Sequence, residues 1–269
     1  MIGHNRLMNY QGVLADVVSW AEREPNIRAV ILTGSAAANA EHPLSDRDLE
    51  LHVQQTRPLE NSDEWWSSLG DVLAVERLEN GEDQPTRLVY YVGGKLDFTL
   101  IRTDEHRGVY DRPFTVLLDK DQVAGDFTLS TPAVVGPTQE VFDECANWAG
   151  AAVLMTARAI MRDEPWSEMI RDTDFKAELL RMIEWDHILR YRASRDVRYL
   201  GTRMRSWMDI DVQHVLDTCA VTFGADNRDA LSAGIALFSR LSEQVAAEGG
   251  LAPFPFERIE AEVLRILSV

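Results

Sequence analysis

The residues best suited to chemistry are two carboxylates, Asp46 and Asp48, at the start of a β-type run. Residues i and i+2 of a strand point to the same face, so both side chains can bind one hard cation such as Mg²⁺. The pair Gly34-Ser35 directly follows an apolar run and offers the backbone N–H groups of a small turn to an anion. A phosphate-binding turn beside paired carboxylates is typical of enzymes that attack a metal-bound nucleoside triphosphate.

A third carboxylate, Asp97, lies in the middle of another β-type run, 95–101. Its neighbours alternate in polarity, which places Lys95, Asp97 and Thr99 together on the polar face of the strand. If that strand lies beside Asp46 and Asp48, Asp97 completes a metal site or takes the proton from an attacking hydroxyl. Asp97 alone would indicate a solvated strand residue, but the turn and the paired carboxylates favour the functional interpretation.

The elements that must position these residues change in type along the chain. Apolar spacing predicts a helix over 7–24 and a short helix around 65–69. The predicted strands are 28–33, 47–54, 72–78, 86–92, 95–101 and 114–118, with a hairpin turn at Gly93-Gly94. The predicted later helices are 139–163, 174–193, 207–222, 226–248 and 255–268. The sequence therefore predicts an α+β protein, with a mixed β-sheet in a domain over 1–137 and an all-α helical domain over 138–269.

The composition limits the classes of partner. The formal net charge is −17 over 269 residues, which disfavours nucleic acid because phosphate backbones need a basic surface. An acidic cleft suits a cationic substrate, although solubility alone also explains the charge. No apolar run approaches a membrane span and no apolar leader begins the chain, so we expect neither membrane insertion nor secretion.

The two cysteines, Cys145 and Cys219, have no metal or redox spacing. They indicate buried thiols in a reducing compartment, and the expected location is cytoplasmic. His42 and His187 have no cysteine or histidine partner at ligand spacing, which argues against zinc. The oligomeric state stays open.

The motifs resemble those of the DNA polymerase-β-like nucleotidyltransferase superfamily, in which Gly-Ser, Asp-x-Asp and a later strand Asp occur in that order. More narrowly, the chain is similar to the aminoglycoside 6-adenylyltransferases, the streptomycin-modifying group. The segments that carry this likeness are 44–49 (Leu-Ser-Asp-Arg-Asp-Leu), 95–100 (Lys-Leu-Asp-Phe-Thr-Leu), 116–121 (Val-Leu-Leu-Asp-Lys-Asp), 162–164 (Arg-Asp-Glu) and 178–185 (Glu-Leu-Leu-Arg-Met-Ile-Glu-Trp). They are spread over most of the chain.

The resemblance implies a nucleotidyltransferase domain followed by a helical acceptor-binding domain. AMP would pass from ATP to a hydroxyl of an aminoglycoside such as streptomycin, giving antibiotic resistance. Asp46, Asp48 and Asp97 would bind Mg²⁺, with Asp97 also acting as the base. Gly34 and Ser35 would hold the triphosphate.

Two positions and one segment depart from the family pattern. Arg158 stands where the family usually has a Lys for the triphosphate, which keeps the charge but changes its geometry. Ala36 stands where the family usually has Arg after Gly-Ser, and the segment 195–201 replaces a Gly- and Lys-rich one. These departures keep two alternatives open: another small acceptor, such as a lincosamide, or a catalytically weak nucleotide-binding relic.

Several carboxylates lie on or near the predicted helix 174–193. Their spacing does not define one clean face, which is typical of a solvated helix surface. A polycationic aminoglycoside nevertheless needs charge-assisted hydrogen bonds. We therefore predict Asp186, and after it Glu184, as contacts to the acceptor.

Overall fold

The computed structural model describes residues 7–105, 108–122, 124–130, 136–138, 164–197 and 200–218, scattered positions between 140 and 162, and residues 258 and 261. The chain divides into two compact units. The first comprises Met1–Pro132 together with Ile235–Val269, and the second comprises Ala133–Gly234.

A six-stranded mixed sheet organises the first unit. Its strands are β1 (Ile27–Thr33), β2 (Arg47–Val53), β3 (Val72–Glu79), β4 (Pro85–Tyr91), β5 (Gly94–Arg102) and β7 (Phe114–Asp119). They lie in the order β3-β4-β5-β2-β1-β7, and only the β2–β5 pair is parallel. Two short strands, β6 (Val109–Tyr110) and β8 (Thr128–Leu129), pair separately.

Alternation along the central strands separates the core from the polar face. On β5, Leu96, Phe98 and Leu100 are buried, while Lys95, Asp97 and Thr99 are partly exposed. On β2, the buried Leu49, Leu51 and Val53 face the same core. The period of two in the sequence therefore fixes which side chains reach the polar face.

Helices cover the apolar face of the sheet. They are α1 (Tyr10–Arg23), α2 (Gly34–Ala37), α3 (Arg57–Glu60) and α4 (Glu64–Ser67). Trp20 of α1 stacks on Trp65 of α4 with ring centroids 5.3 Å apart. The edge of Trp65 meets Phe98 of β5 at 5.0 Å, and its indole N–H donates to the Leu59 carbonyl. This aromatic chain joins the helices to the strand that carries Asp97.

In the second unit, the elements between residues 164 and 218 are helical. They are α5 (Pro165–Tyr191), α6 (Met204–Trp207) and α7 (Ile210–Thr218), with a short 3₁₀ turn at Arg192–Ser194. Ile183, Val197, Trp207 and Met208 form the described core of this unit. The α+β fold class with a mixed sheet and a helical C-terminal region is thus confirmed, and no strand occurs among the described residues between 164 and 218.

Two helix boundaries differ from the prediction. The helix predicted over 174–193 begins at Pro165 rather than at 174, because proline is favourable at the first helical position. Its early apolar residues Trp166 and Ile170 are exposed, so no buried face marks that start in the sequence. The predicted helix 207–222 is interrupted where Met208 becomes extended.

The interruption has a specific partner. The backbone N–H of Asp209 donates to Nε2 of the fully buried His187 at 3.0 Å, instead of continuing a helix. The predicted helices 226–248 and 255–268 lie almost entirely outside the described residues, as does most of 139–163. Among the described helices, none has the length and apolar character that a bilayer crossing demands.

A matched pair of leucines tests which face of the sheet is the core. Leu100→Ala on β5, where Leu100 is 1% exposed, should lower the free energy of unfolding by about 2–5 kcal/mol. Leu78→Ala on β3, where Leu78 is 38% exposed, should cost less than about 1 kcal/mol. Urea denaturation followed by tryptophan fluorescence measures both values, and equal losses would contradict the assignment of this core.

Candidate active site

Strand pairing aligns polar residues across the centre of the sheet. Thr33 at the end of β1 pairs with Asp48 of β2, and Asp48 pairs with Asp97 of β5. Asp46 directly precedes β2. Neighbouring strands lie about 4.8 Å apart, so this register brings Asp48 and Asp97 side by side.

The three carboxylates converge at this row. One oxygen from each of Asp46, Asp48 and Asp97 lies within 4.8 Å of the others. The Asp46 side chain is 37% exposed and the Asp97 side chain 14% exposed, so the cluster opens to solvent at Asp46. The structure therefore brings together the three carboxylates that the sequence singled out, while their catalytic roles remain predictions.

The Lys95 ammonium completes this cluster, and the sequence analysis did not select it as a site residue. Its Nζ donates to Asp97 Oδ2 at 2.7 Å and to Asp46 Oδ2 at 3.1 Å. The signal was its spacing, because residues 95 and 97 share one face of β5. Strand alternation predicts a shared face but not an ion pair with Asp46, which precedes a different strand.

Two residues on the other side of β2 position the loop that carries Asp46. Arg47 is 8% exposed, and its guanidinium donates to the carbonyl oxygens of Ser45 and Asp46 at 2.9 and 3.0 Å. It stacks on the Tyr10 ring at 3.9 Å. The Tyr10 hydroxyl in turn accepts the backbone N–H of Lys95 at 3.0 Å. Tyr10 therefore connects the strand of Asp97 to the start of β2.

The Gly34 turn touches the carboxylate cluster directly. Gly34 begins α2 with φ = +73°, a conformation that favours glycine. A Cβ at this position would lie 2.2 Å from Asp48 Oδ2. The sequence prediction that a glycine-serine turn approaches the paired carboxylates therefore has a geometric basis, and Ser35 follows as a half-buried residue.

Burial dominates the electrostatics of the carboxylates. Desolvation raises the pKa of Asp97 to about 6, with Asp46 and Asp48 adding to the rise and Lys95 opposing it. Desolvation, followed by the charge of Asp46, also raises the pKa of Asp48, while Arg112 and Lys95 lower it. The protein therefore holds these acids where their charged forms need cations.

A divalent cation fits the donor set. The cluster offers hard carboxylate oxygens from three residues, which are the ligands that Mg²⁺ prefers. One of these oxygens, Asp97 Oδ1, is buried, and no donor among the described residues reaches it. A buried carboxylate oxygen without a donor is costly unless a cation binds it. Asp46, Asp48 and Asp97 are therefore the residues that would hold the metal.

A further carboxylate on the same face of β2 is already paired. Glu50 accepts a hydrogen bond from the Tyr110 hydroxyl at 2.8 Å and lies 3.4 Å from His52 Nε2. Desolvation and the adjacent Glu50 raise the pKa of Tyr110, so the phenol stays a donor. Glu50 is thus held in a separate contact two residues along the strand from Asp48.

The predicted acceptor contacts lie in the second unit, on α5. Asp186 is half exposed, and its carboxylate accepts hydrogen bonds from Arg190, which also donates to Asp209. Glu184 is partly buried, which raises its pKa despite a hydrogen bond from the Gly201 backbone and the charge of Arg181. Arg158, predicted to contact the triphosphate, lies outside the described residues.

Comparison with known proteins identifies the family. A family model described as streptomycin adenylyltransferase matches residues 8–260, which is most of the chain. The protein therefore belongs to the streptomycin adenylyltransferase family. Membership indicates a nucleotidyltransferase, and within that class an aminoglycoside adenylyltransferase whose co-substrate is ATP.

Other comparisons add little. No curated protein matches the sequence at a significant level. Among solved structures, an aminoglycoside 6-adenyltransferase from Bacillus subtilis is 19% identical, and the match covers 98% of this chain and 100% of that chain with a TM-score of 0.32. At that TM-score the likeness carries no weight in the functional argument.

A glycine substitution tests the close approach of the turn to Asp48. Gly34→Ala places a methyl group against Asp48 and strains the positive φ, so we expect a loss of about 1–3 kcal/mol in the free energy of unfolding. The displaced carboxylate should also weaken Mn²⁺ binding. Urea denaturation and calorimetry measure the two effects.

Gly81→Ala is the matched control, because a Cβ there meets no heavy atom within 4 Å. It should leave the free energy of unfolding and the Mn²⁺ affinity nearly unchanged. Equal effects of the two substitutions would show that Gly34 has no special role.

Proposed function

We propose that this protein transfers AMP from ATP to a hydroxyl of a cationic aminoglycoside such as streptomycin, and thereby confers resistance to the antibiotic. The convergence of Asp46, Asp48 and Asp97 beside the Gly34 turn carries the proposal. Family membership supports the reaction class. The cytoplasmic location predicted from the sequence would supply ATP and Mg²⁺.

Asp97 is the proposed base. Its carboxylate belongs to the cluster in which the three acids meet, and a carboxylate within hydrogen-bond reach of the acceptor hydroxyl can take its proton. As the acceptor oxygen forms a bond to the α-phosphorus of ATP, Asp97 takes the hydroxyl proton and pyrophosphate leaves. Mg²⁺, when bound by the three carboxylates, would neutralise negative charge on the phosphates.

The small turn is the proposed triphosphate contact. Gly34 has no side chain and Ser35 offers a hydroxyl, so an anionic oxygen can approach the backbone there. Arg158 is proposed as a cation for the same triphosphate. Because this transfer depends mainly on positioning and charge neutralisation, these contacts need to hold the nucleotide in line with the acceptor.

The acceptor is proposed to bind through Asp186 and Glu184. The net charge of −17 favours the approach of a polycation. Because Arg190 already pairs with Asp186, an acceptor ammonium would have to compete with this guanidinium. That competition favours an acceptor with several positive charges over one with a single amine.

Removal of the proposed base is the direct test of the mechanism. Asp97→Asn should lower the rate of AMP transfer by about 10²–10⁴-fold, because the amide cannot accept the proton. Pyrophosphate release with ATP, Mg²⁺ and streptomycin measures the rate. Mass spectrometry of the acceptor should show a single added AMP.

The matched control is Asp104→Asn, which removes an exposed carboxylate paired with Arg102. Its rate should equal that of the parent enzyme. Parental turnover by Asp97→Asn would rule out Asp97 as the base. If the parent binds ATP and Mg²⁺ but modifies neither aminoglycosides nor a lincosamide, the nucleotide-binding relic suggested by Ala36 becomes the better assignment.

A second pair of substitutions tests the acceptor contact on α5. Asp186→Asn should raise the KM for the acceptor by about 10- to 100-fold, because it removes a charge-assisted hydrogen bond. Asp174→Asn, on the same helix and paired with Arg171, should not change it. Initial rates over a range of acceptor concentrations measure both, and equal KM values would argue against Asp186 as an acceptor contact.

A further inference from the structure

The Lys95 ammonium contacts carboxylate oxygens that a divalent cation would also use. Nζ lies 2.7 Å from Asp97 Oδ2 and 3.1 Å from Asp46 Oδ2, in a cluster whose three ligand oxygens span no more than 4.8 Å. A metal ion that binds both carboxylates enters the immediate surroundings of this ammonium. The two cations therefore repel each other and compete for the same negative charge.

The position of Lys95 is fixed by its surroundings. Its backbone N–H is bound by the Tyr10 hydroxyl, and its side chain is 23% exposed with Nζ 5.3 Å from the centre of the Tyr90 ring. Its Nζ forms ion pairs with carboxylate oxygens of both Asp97 and Asp46, and opposite charges at this distance favour the charged amine. Lys95 is thus a permanent cation within the cluster.

We propose that Lys95 is an intrinsic counter-cation that weakens divalent metal binding until a nucleoside triphosphate is present. Without nucleotide, an entering metal ion must take Asp46 and Asp97 from the ammonium. With nucleotide, the phosphate oxygens give the ammonium a new partner, and the metal binds the carboxylates at a lower cost. Lys95 acts through the carboxylates and is therefore a positioning residue. This inference rests on the proposed function, because it assumes that metal and triphosphate share the site.

The proposal predicts thermodynamic coupling between the two ligands. Since coupling is reciprocal, a triphosphate should tighten metal binding by the same factor by which the metal tightens triphosphate binding. Removal of the Lys95 charge should reduce this factor. A residue that only supported the fold would lower the metal affinity when removed rather than raise it.

The test is calorimetric titration of the full-length protein with Mn²⁺, with and without a non-hydrolysable ATP analogue. Without the analogue, Lys95→Met should bind Mn²⁺ about tenfold more tightly than the parent, within the usual range of coupling between ligands. With the analogue, the difference should shrink or reverse. Lys95→Arg retains the charge and should bind Mn²⁺ as weakly as the parent. Lys120→Met is the control, because this substitution removes the same charge from a different place. Lys120 donates to the backbone carbonyls of Ala21 and Glu24.

Equal or weaker Mn²⁺ binding by Lys95→Met without nucleotide would overturn the proposal. If this variant folds only when Mn²⁺ is added, the metal has replaced the ammonium as counter-cation and the proposal is supported; if Mn²⁺ does not restore the fold, the proposal fails. In another outcome, the parent shows coupled binding and AMP transfer while Lys95→Met binds Mn²⁺ with the parental affinity. That outcome would refute only the role of Lys95. A parent that neither binds Mn²⁺ with the analogue nor transfers AMP would refute the proposed function as well.

Discussion

The parallel pairing of β2 and β5 determines where the acids meet. In this register Asp48 lies opposite Asp97, and the apolar residues that alternate with them face the aromatic core. A slip of one residue would turn Asp97 toward Phe98's side of the sheet and bury a carboxylate among tryptophans. The hydrophobic pattern that stabilises the sheet therefore also fixes the carboxylate cluster, and the geometry of the core and of the cluster cannot vary independently.

Grouping three carboxylates opposes folding unless cations accompany them. Burial raises the pKa values of Asp97 and Asp48. Loss of solvation therefore disfavours their charged forms more than the surrounding protein groups stabilise them. Lys95 offsets part of this lost solvation through hydrogen bonds to two of the acids. Asp97 Oδ1 remains buried without a donor in the described part of the chain. Its lost solvation is therefore not offset by Lys95, and a second cation would offset it.

The sequence predicted the strands well for two reasons. β2 and β5 alternate polar and apolar residues, and β1 is a continuous apolar run that ends at the Gly34-Ser35 turn. The hairpin at Gly93-Gly94 appears as the antiparallel β4–β5 pair, with Tyr91 opposite Gly94. The convergence of Asp46, Asp48 and Asp97 follows from the alternation of each strand only if the two strands are neighbours. The parallel β2–β5 pairing shows that they are. The start of α5 was not predicted, because its first turns expose Trp166 and give no amphipathic signal.

The contacts of Lys95 and Arg47 could not be predicted from the sequence for a different reason. Each depends on a partner from another element: Lys95 reaches Asp46 before β2, and Arg47 stacks on Tyr10 of α1. Local patterns assign a residue to a face, but the choice of partner needs the tertiary arrangement. The same limit applies to Asp186, whose pattern indicated a solvated acid and whose carboxylate is in fact held by Arg190.

The departures from the family pattern make the distribution of positive charge important. With Ala36 in place of a cation after Gly34-Ser35, the charges that act on the carboxylates come from later in the chain: Lys95 through direct contact, and Arg112 through its effect on the pKa of Asp48. A protein with a net charge of −17 attracts a polycationic acceptor at long range, whereas an anionic triphosphate is repelled until it reaches such local cations. Because salt screens the long-range attraction far more than the short contacts, the two substrates respond to different parts of the same charge distribution.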